Sequence, residues 1–183
     1  SGFSTANWGT EYLAFGVGVG GSNDAANVTS ERMRIDSAGR VTMPYQPAFS
    51  VSAGVQNNIA NNAWATLIFN TEIFDQSADF DTTTYTFTAP VTGKYQMNYS
   101  IRSNLDVGAA YYHTEISTSN RFYRTTDRTD VQLSADSLYS TFTMSALVDM
   151  DVGDTATVRL YQSGGTAESD INAESRFSGY LVA

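Results

Sequence analysis

The sequence has no cysteine, a single lysine at Lys94, a single histidine at His113 and three prolines among its 183 residues. Without cysteine there can be no disulfide framework, no thiol chemistry and no cysteine-ligated metal, so any metal site would have to use oxygen ligands. The 19 acidic and 10 basic residues give a net charge of −9. The basic stripe that nucleic-acid binding requires, and the basic surface that suits an anionic membrane, are therefore both missing.

Long hydrophobic runs are also missing. No stretch of about 18 apolar residues exists, so no membrane-spanning helix is expected, and residues 1–14 lack the basic start and apolar core of a signal peptide. Apolar residues instead alternate with polar ones, as in residues 94–102, 138–150 and 155–161. Period-two alternation is typical of half-buried antiparallel strands and predicts an all-β domain.

The connections between the predicted strands alternate between long and short. The long ones are 103–108, 126–137 and 163–175, and the tight ones are 119–120 and 153–154. Successive connections of an antiparallel sandwich lie at opposite ends. We therefore expect the long loops to gather at one pole and the C-terminus to leave at the other.

The first 45 residues have a different pattern. Met33 and Ile35 alternate on one side of an Asp-Ser-Ala-Gly turn, and Val41 and Met43 on the other, which predicts a small hairpin. So few apolar residues cannot bury a core of their own, and such a segment needs association to be stable. We predict a β-rich shaft segment at residues 1–45 and a head domain at residues 46–183.

The head carries a spaced set of aromatic, acidic and glycine residues. This set comprises Phe69, Asp75, Phe80, Phe87, Gly93, Tyr95 and Tyr99, and the chain ends with Phe177 and Gly179 in a Phe-Ser-Gly-Tyr-Leu segment. It resembles the signature of the C1q domain family, which has Asn or Asp at the second position, and it departs from that signature only at Met97, where Phe is usual. The resemblance implies a ten-stranded C1q/TNF-like jelly-roll sandwich that assembles as a homotrimer with both termini at its base.

Residues 31–41 resemble an element found in bacteriophage tail-fibre and tail-spike chains, Glu-Arg-Met-Arg-Ile-Asp-Ser-x-Gly. The collagen-like stem usual in animal C1q-like proteins is missing from this sequence. This combination favours a viral or prophage fibre, located extracellularly on the virion and joined to further fibre upstream. A secreted or cell-surface location is the alternative.

An enzyme would have to use His113 in any Ser-His-Asp triad, and no Gly-x-Ser-x-Gly elbow accompanies it. A histidine on a sheet face is the simpler interpretation. Paired carboxylates for glycoside hydrolysis can be assembled from 19 acids in too many ways to be informative. We therefore expect no enzymatic activity and no catalytic or cofactor-binding residue.

Acidic residues concentrate in the long loops, where carboxylates near a threefold axis repel one another unless they are solvated or bridged by a hard cation. Calcium at the apex also occurs in some C1q-like relatives. A hypothetical calcium site uses Asp127, Asp130 and Asp170, and the alternative is a set of ordinary solvated loops. Hypothetical ligand-binding residues are Asp106, Arg128, Glu168 and Tyr123.

These features favour a trimeric structural and receptor-binding module of a phage or prophage tail fibre, which recognises a host-surface glycan or protein. Three alternatives stay open at this point. They are a C1q-like lectin or adhesin of cellular origin, a polysaccharide depolymerase, and a trimerisation and folding cap for the shaft that has no ligand.

Overall fold

The computed structural model describes residues 12–17, 31–128 and 135–183, except for the side chains of Arg128 and Ser137. The chain divides into two compact units, Ser1–Gln46 and Pro47–Ala183. Among the described residues, no helix has the length and apolar character needed to cross a membrane.

The first unit contains three antiparallel strands: β1 (Tyr12–Gly16), β2 (Glu31–Asp36) and β3 (Val41–Thr42). β2 and β3 form the hairpin that the alternation predicts, with Ile35 opposite Val41. Asp36 closes its turn by accepting hydrogen bonds from the backbone amides of Ala38 and Arg40, both at 2.9 Å. Most of residues 1–30, which belong to the predicted shaft segment, lie outside the described residues.

In the second unit, which we call the head, the regular elements among the described residues are all strands. They are β4 (Ala48–Ser52), β5 (Gln56–Ile59), β6 (Trp64–Thr66), β7 (Thr71–Asp75), β8 (Phe80–Asp81), β9 (Thr86–Thr88), β10 (Gly93–Leu105), β11 (Ala109–Thr118), β12 (Phe122–Arg128), β13 (Ser137–Met150), β14 (Thr155–Gly164), β15 (Ser169–Ile171) and β16 (Arg176–Leu181). The predicted jelly-roll fold is confirmed, but the described residues form thirteen strands, several of them short, where ten were predicted.

The head strands form two sheets. The first, which we call the inner sheet, has the order β5-β15-β10-β16-β4-β7, with β13 on the free side of β10. The second, the outer sheet, has the order β12-β11-β14-β9-β8, with β6 also on β14. All strand pairs in both sheets are antiparallel, as the alternating pattern requires.

Aromatic rings fill the space between the sheets. Phe49 of β4 is in ring contact with Phe80, Phe87 and Phe177, at centroid distances of 5.1, 4.8 and 5.0 Å. Large buried aromatic side chains supply much of the apolar area that stabilises a domain of this size. Met97, which replaces the usual Phe of the signature, is fully buried between the two sheets and fills its space as a flexible apolar side chain.

The polar and glycine positions of the signature have structural roles. The Asp75 carboxylate accepts a hydrogen bond of 2.7 Å from the backbone amide of Phe80 and so fixes the start of β8. A Cβ at Gly93 would lie 2.5 Å from the carbonyl oxygen of Ala183, which leaves no space for a side chain. The types and spacing of the signature residues are therefore explained by packing between the two sheets and by the contacts that join the strand ends.

Both ends of the head lie at the pole of the tight turns, which we call the base. Lys94, at the start of β10, donates its backbone amide to the carbonyl of Ala183, and the amide of Leu181 donates to the carbonyl of Pro47. The turn at Gly153 bonds to Ala89 at the same end. This arrangement is the one expected from the alternation of long and short connections.

The predicted long loops are wrong in length, because three strands continue further than the apolar pattern indicates. β10 runs to Leu105, β12 to Arg128 and β14 to Gly164. Polar residues at a strand end can still pair through their backbones, as Asn104 of β10 does with Asp170 of β15. These extended strands meet at one end of the head. We call this end the loop pole.

Candidate functional site

A buried hydrogen-bond network centred on Asp106 holds the loop pole together. Asp106 is 6% exposed, and its Oδ2 accepts hydrogen bonds from Gln162 Nε2 at 3.3 Å and from the amide and the hydroxyl of Thr166. Its Oδ1 accepts the amide of Gly108 at 2.6 Å. The backbone amide of Asp106 donates to the Tyr112 hydroxyl at 2.9 Å. One carboxylate thus fixes the β10–β11 connection to the segment that follows β14.

Two opposing effects act on the pKa of Asp106. Burial alone raises it, but the hydrogen bonds from Thr166, Gly108 and Gln162 together outweigh burial and hold the pKa of Asp106 below its ordinary value. Asp106 therefore stays ionised at neutral pH as a structural anion. Asp106 was predicted to bind a ligand, but in this structure its carboxylate oxygens accept hydrogen bonds from groups within the chain.

A cavity of about 210 Å³ opens beside this network, and we call it the acidic cavity. Its lining residues are Asn104, Leu105, Asp106, Asp136, Leu138, Glu168 and Asp170. Asp136 is tied down by the amide of Val107, which donates to its Oδ1 at 2.9 Å. The fold therefore gathers acidic side chains from three connections, and the cavity is suited to cationic or hydrogen-bond-donating groups.

The five predicted site residues whose side chains are described divide into two groups. Asp106, Glu168 and Asp170 come together at the acidic cavity. Tyr123 is the second residue of β12, lies opposite Ile116 and packs against the core, and Asp127 is exposed on β12 opposite Tyr112. Neither of these last two residues lines the cavity.

The remaining predicted residues lie partly or wholly outside the described part of the chain. Asp130 belongs to residues 129–134, and only the backbone of Arg128 is described, in β12 opposite Tyr111. Asp170 Oδ1 accepts the amide of Asn58 at 2.9 Å. Within the described ranges, no group of three or more His, Asp or Glu side chains is arranged to hold a metal ion. The calcium site of Asp127, Asp130 and Asp170 stays a prediction.

A second cluster of polar residues lies on the outer face of the outer sheet. Glu115 of β11 is fully buried and lies between two arginines on the neighbouring strands. Arg124 of β12 donates Nε to Glu115 Oε2 at 2.9 Å, and its Nη2 lies 2.8 Å from the same oxygen. Arg159 of β14 donates Nε to Oε1 at 2.9 Å and also contacts Oε1 through Nη2. Both arginines are therefore held side by side by one carboxylate.

Aromatic rings surround this triad. Trp64 of β6 has its ring centroid 4.7 Å from Cζ of Arg124 and 5.0 Å from Cζ of Arg159. The ring centroid of Trp64 is 6.1 Å from that of His113 and 5.4 Å from that of Tyr161. Tyr111 continues the row, with its ring centroid 4.7 Å from that of His113. We call the seven residues of the triad and these four rings the aromatic–arginine platform.

His113 has a structural environment within this platform. Its Nδ1 lies 2.8 Å from the Thr126 hydroxyl on the neighbouring strand. Burial, with a smaller contribution from the positive charge of Arg124, lowers the pKa of His113 below its ordinary value. The side chain lies on a sheet face, as the simpler interpretation of the sequence expected.

The platform was not among the sites predicted from the sequence. Period-two alternation does place Tyr111, His113 and Glu115 on one face of β11, and Arg159 and Tyr161 on one face of β14. The register that pairs these strands is not readable from the sequence. Trp64 was harder still to assign, because it belongs to a three-residue strand after a polar segment.

The family model described as "C1q domain" matches residues 48–182. A search of curated proteins gives no match. The family model therefore spans the head almost from its first strand to its last.

Solved structures with the same architecture come from animals and from a virus. The globular domain of zebrafish complement 1qA protein is 18% identical, covers 75% of this chain and 98% of its own, and superposes with a TM-score of 0.54. Murine APRIL is 10% identical, with 75% and 99% coverage and a TM-score of 0.55. The PRD1 vertex protein P5 is 14% identical, with 75% and 98% coverage and a TM-score of 0.51. These similarities establish the fold of the head.

Proposed function

Because this chain belongs to the C1q domain family, we propose that it is a homotrimeric, non-enzymatic receptor-binding head of a phage or prophage tail fibre. Domains of this family are typically binding and structural modules that act outside cells, and their relatives typically form trimers. The observation that carries the proposal is the family match over residues 48–182, since relatives with this fold typically form trimers.

The outer face of the inner sheet supports self-association. Gln96 of β10 lies between Leu147 of β13 and Tyr180 of β16 in one row of the sheet. Leu147 is 56% exposed and Tyr180 is 49% exposed in the single chain. Apolar side chains repeated on an exposed sheet face are a surface that a second copy can bury. We assign this row to the seam between subunits.

The two ends of the head suit different roles, attachment at the base and recognition at the loop pole. The chain enters the head at Pro47 and ends at Ala183, and both residues lie at the base. The acidic cavity lies at the other end, among the connections that follow β10 and β14. Loops are the segments that vary most freely on a rigid scaffold. In a trimer, three copies of the loop pole would contact one surface and give avidity.

The viral assignment draws on two observations. Residues 31–41 have the Glu-Arg-Met-Arg-Ile-Asp-Ser-x-Gly pattern of tail-fibre chains, here folded as the β2–β3 hairpin. A phage vertex protein, PRD1 P5, shares the fold of the head. A lectin or adhesin of cellular origin is the second candidate, which the zebrafish complement fold favours.

The proposal is tested by binding of the labelled trimer to a panel of bacterial strains. We expect saturable binding to a subset of strains and competition by unlabelled chain. A monomeric variant should bind the same strains at least tenfold more weakly, because avidity is lost. Release of reducing sugars from the bound cells would instead favour a depolymerase.

A matched deletion separates the recognition role from a folding role. Fibre that lacks residues 47–183 should assemble and lose adsorption if the head is a receptor-binding module. Misassembled fibre, together with no strain that binds the isolated head, would contradict the proposal and favour a folding cap.

A further inference from the structure

The aromatic–arginine platform has no role in the jelly-roll core, since its side chains lie on the outer face of the outer sheet. We propose that the platform is a second binding surface, distinct from the acidic cavity, that takes a carboxylated sugar residue of an acidic polysaccharide. The inference rests on the proposed recognition role and specifies the chemical class of one ligand. It is carried by charge, by orientation of the guanidinium groups and by the surrounding rings.

The charge of the platform has the opposite sign to that of the chain. Arg124 and Arg159 share a single carboxylate, Glu115, so the triad carries a net charge of +1. The whole chain carries −9. Most of the surface therefore repels an anionic ligand, and this triad on the outer sheet attracts it. Local charge complementarity of this kind determines where an anionic ligand binds more than how tightly it binds.

The two guanidinium groups are fixed in direction before any ligand arrives. Each uses Nε and Nη2 to contact Glu115, which leaves Nη1 outside that pair. The side chain of Arg124 is 29% exposed and that of Arg159 is 32% exposed. Arginine groups oriented in advance lose less conformational entropy on binding a carboxylate. A buried ion pair adds little net stability over an apolar cluster of similar volume.

The rings provide an apolar contact beside the charge. Trp64, Tyr111 and Tyr161 are half-buried, so each keeps part of its surface in contact with solvent. The ring centroids of Tyr111 and Tyr161 are 6.4 Å apart and their planes lie 25° from parallel. Aromatic faces accept the apolar C–H side of a sugar ring, and the Tyr hydroxyl can bond to its rim.

These features together favour a carboxylated sugar over other anions. A free carboxylate would need only the arginines, and a neutral sugar would need only the rings. A nucleic acid is disfavoured by the charge of the chain as a whole. A protein carboxylate is the competing occupant, and the experiment distinguishes it.

The probe is an oligogalacturonate, and the control ligand is its methyl ester, which keeps the rings and removes the charge. Titration calorimetry on the intact chain should detect binding of the acid, with affinity for the ester at least tenfold weaker. Arg124→Gln should weaken binding of the acid by about tenfold or more, since a charge-assisted hydrogen bond is lost. Arg124→Lys keeps the charge and loses the planar fork, so it should also weaken binding even if the Gln variant fails to fold.

The matched control variant is Arg176→Gln, which removes the same charge from the inner sheet, where Arg176 bonds to backbone carbonyls. It should leave binding of the acid unchanged. Equal binding of acid and ester, or no binding of the acid, would overturn the inference, and the second result is the one expected if the occupant is a protein carboxylate. Strain binding that persists in such a case would leave the proposed function standing, whereas a wild-type chain that binds no strain would contradict that function instead.

Discussion

Gly179 of β16 and the ring of Phe49 on β4 are in direct contact, because a Cβ at Gly179 would lie 2.8 Å from Cε1 of Phe49. The same Cβ would lie 3.3 Å from the carbonyl oxygen of Gln96 and from Cγ of Met97. The family signature thus places glycine where the closing strand passes over the central ring of the core.

Gly179→Ala should destabilise the head by about 1–3 kcal/mol, the usual cost of overpacking a tight core. Phe49 cannot move away easily, since it is in contact with Phe80, Phe87 and Phe177. Chemical denaturation measures the effect, with Ser178→Ala as the neighbouring control. An unchanged midpoint in the Gly179 variant would contradict this description of the core.

Leu147→Glu should convert the trimer into monomers, because it places three charges in the proposed seam. Sedimentation velocity provides the measurement. The matched control is Val152→Glu in the β13–β14 turn, which is 67% exposed and lies outside the sheet face. If both variants stay trimeric, the seam does not include the row of Leu147 and Tyr180.

Asp106→Asn should destabilise the head by about 1–3 kcal/mol, since an amide cannot accept from Gly108, Gln162 and Thr166 as a carboxylate does. The pKa of Asp106 is lowered in the folded state. Its contribution is therefore present above the unfolded value of about 3.9 and is lost as the pH falls through the folded pKa. The variant should show a weaker loss of stability in acid. Asp136→Asn is the matched control, because Asp136 is exposed and its Oδ1 accepts a hydrogen bond from the amide of Val107, so this change should cost less stability at neutral pH.

Asp79→Asn should have the opposite effect and stabilise the head at neutral pH by up to about 1 kcal/mol. Burial, followed by repulsion from Asp75, raises the pKa of Asp79. Asp79 Oδ2 and Asp75 Oδ1 are both buried without a hydrogen-bond partner. A raised pKa favours the folded state at low pH and costs stability as the pH rises through the folded pKa. The gain should therefore shrink as thermal melts are moved from pH 7 towards pH 4, and a loss of stability at pH 7 would refute it.

The sequence was sufficient to predict the architecture of the head, because its fold depends on alternation and on spaced core residues. Phe69, Phe87, Tyr95 and Phe177 all lie in the buried core. The strand ends were predicted less well. Ser103 and Asn104 have no apolar pattern, yet they extend β10 by pairing with β15. Backbone pairing of this kind does not depend on side-chain polarity, so the polar–apolar pattern cannot predict it.

The site residues were predicted only in part, for a related reason. The predicted tight turn at 119–120 already places Arg124 opposite Glu115. Arg159 reaches Glu115 only through the long-range pairing of β11 with β14, and the register of that pairing could not be predicted from the sequence. The sequence around Asp106 is typical of a surface loop. In the structure, however, Asp106 accepts hydrogen bonds from Thr166, which is 60 positions away in the chain. Composition predicted an acidic loop pole but not which acids are structural.

Light scattering of the intact chain at physiological salt gives its mass in solution, and this mass decides whether the head is a homotrimer. We expect a mass close to three times the 19.9 kDa of one chain. A mass of one chain across the accessible concentration range would contradict it.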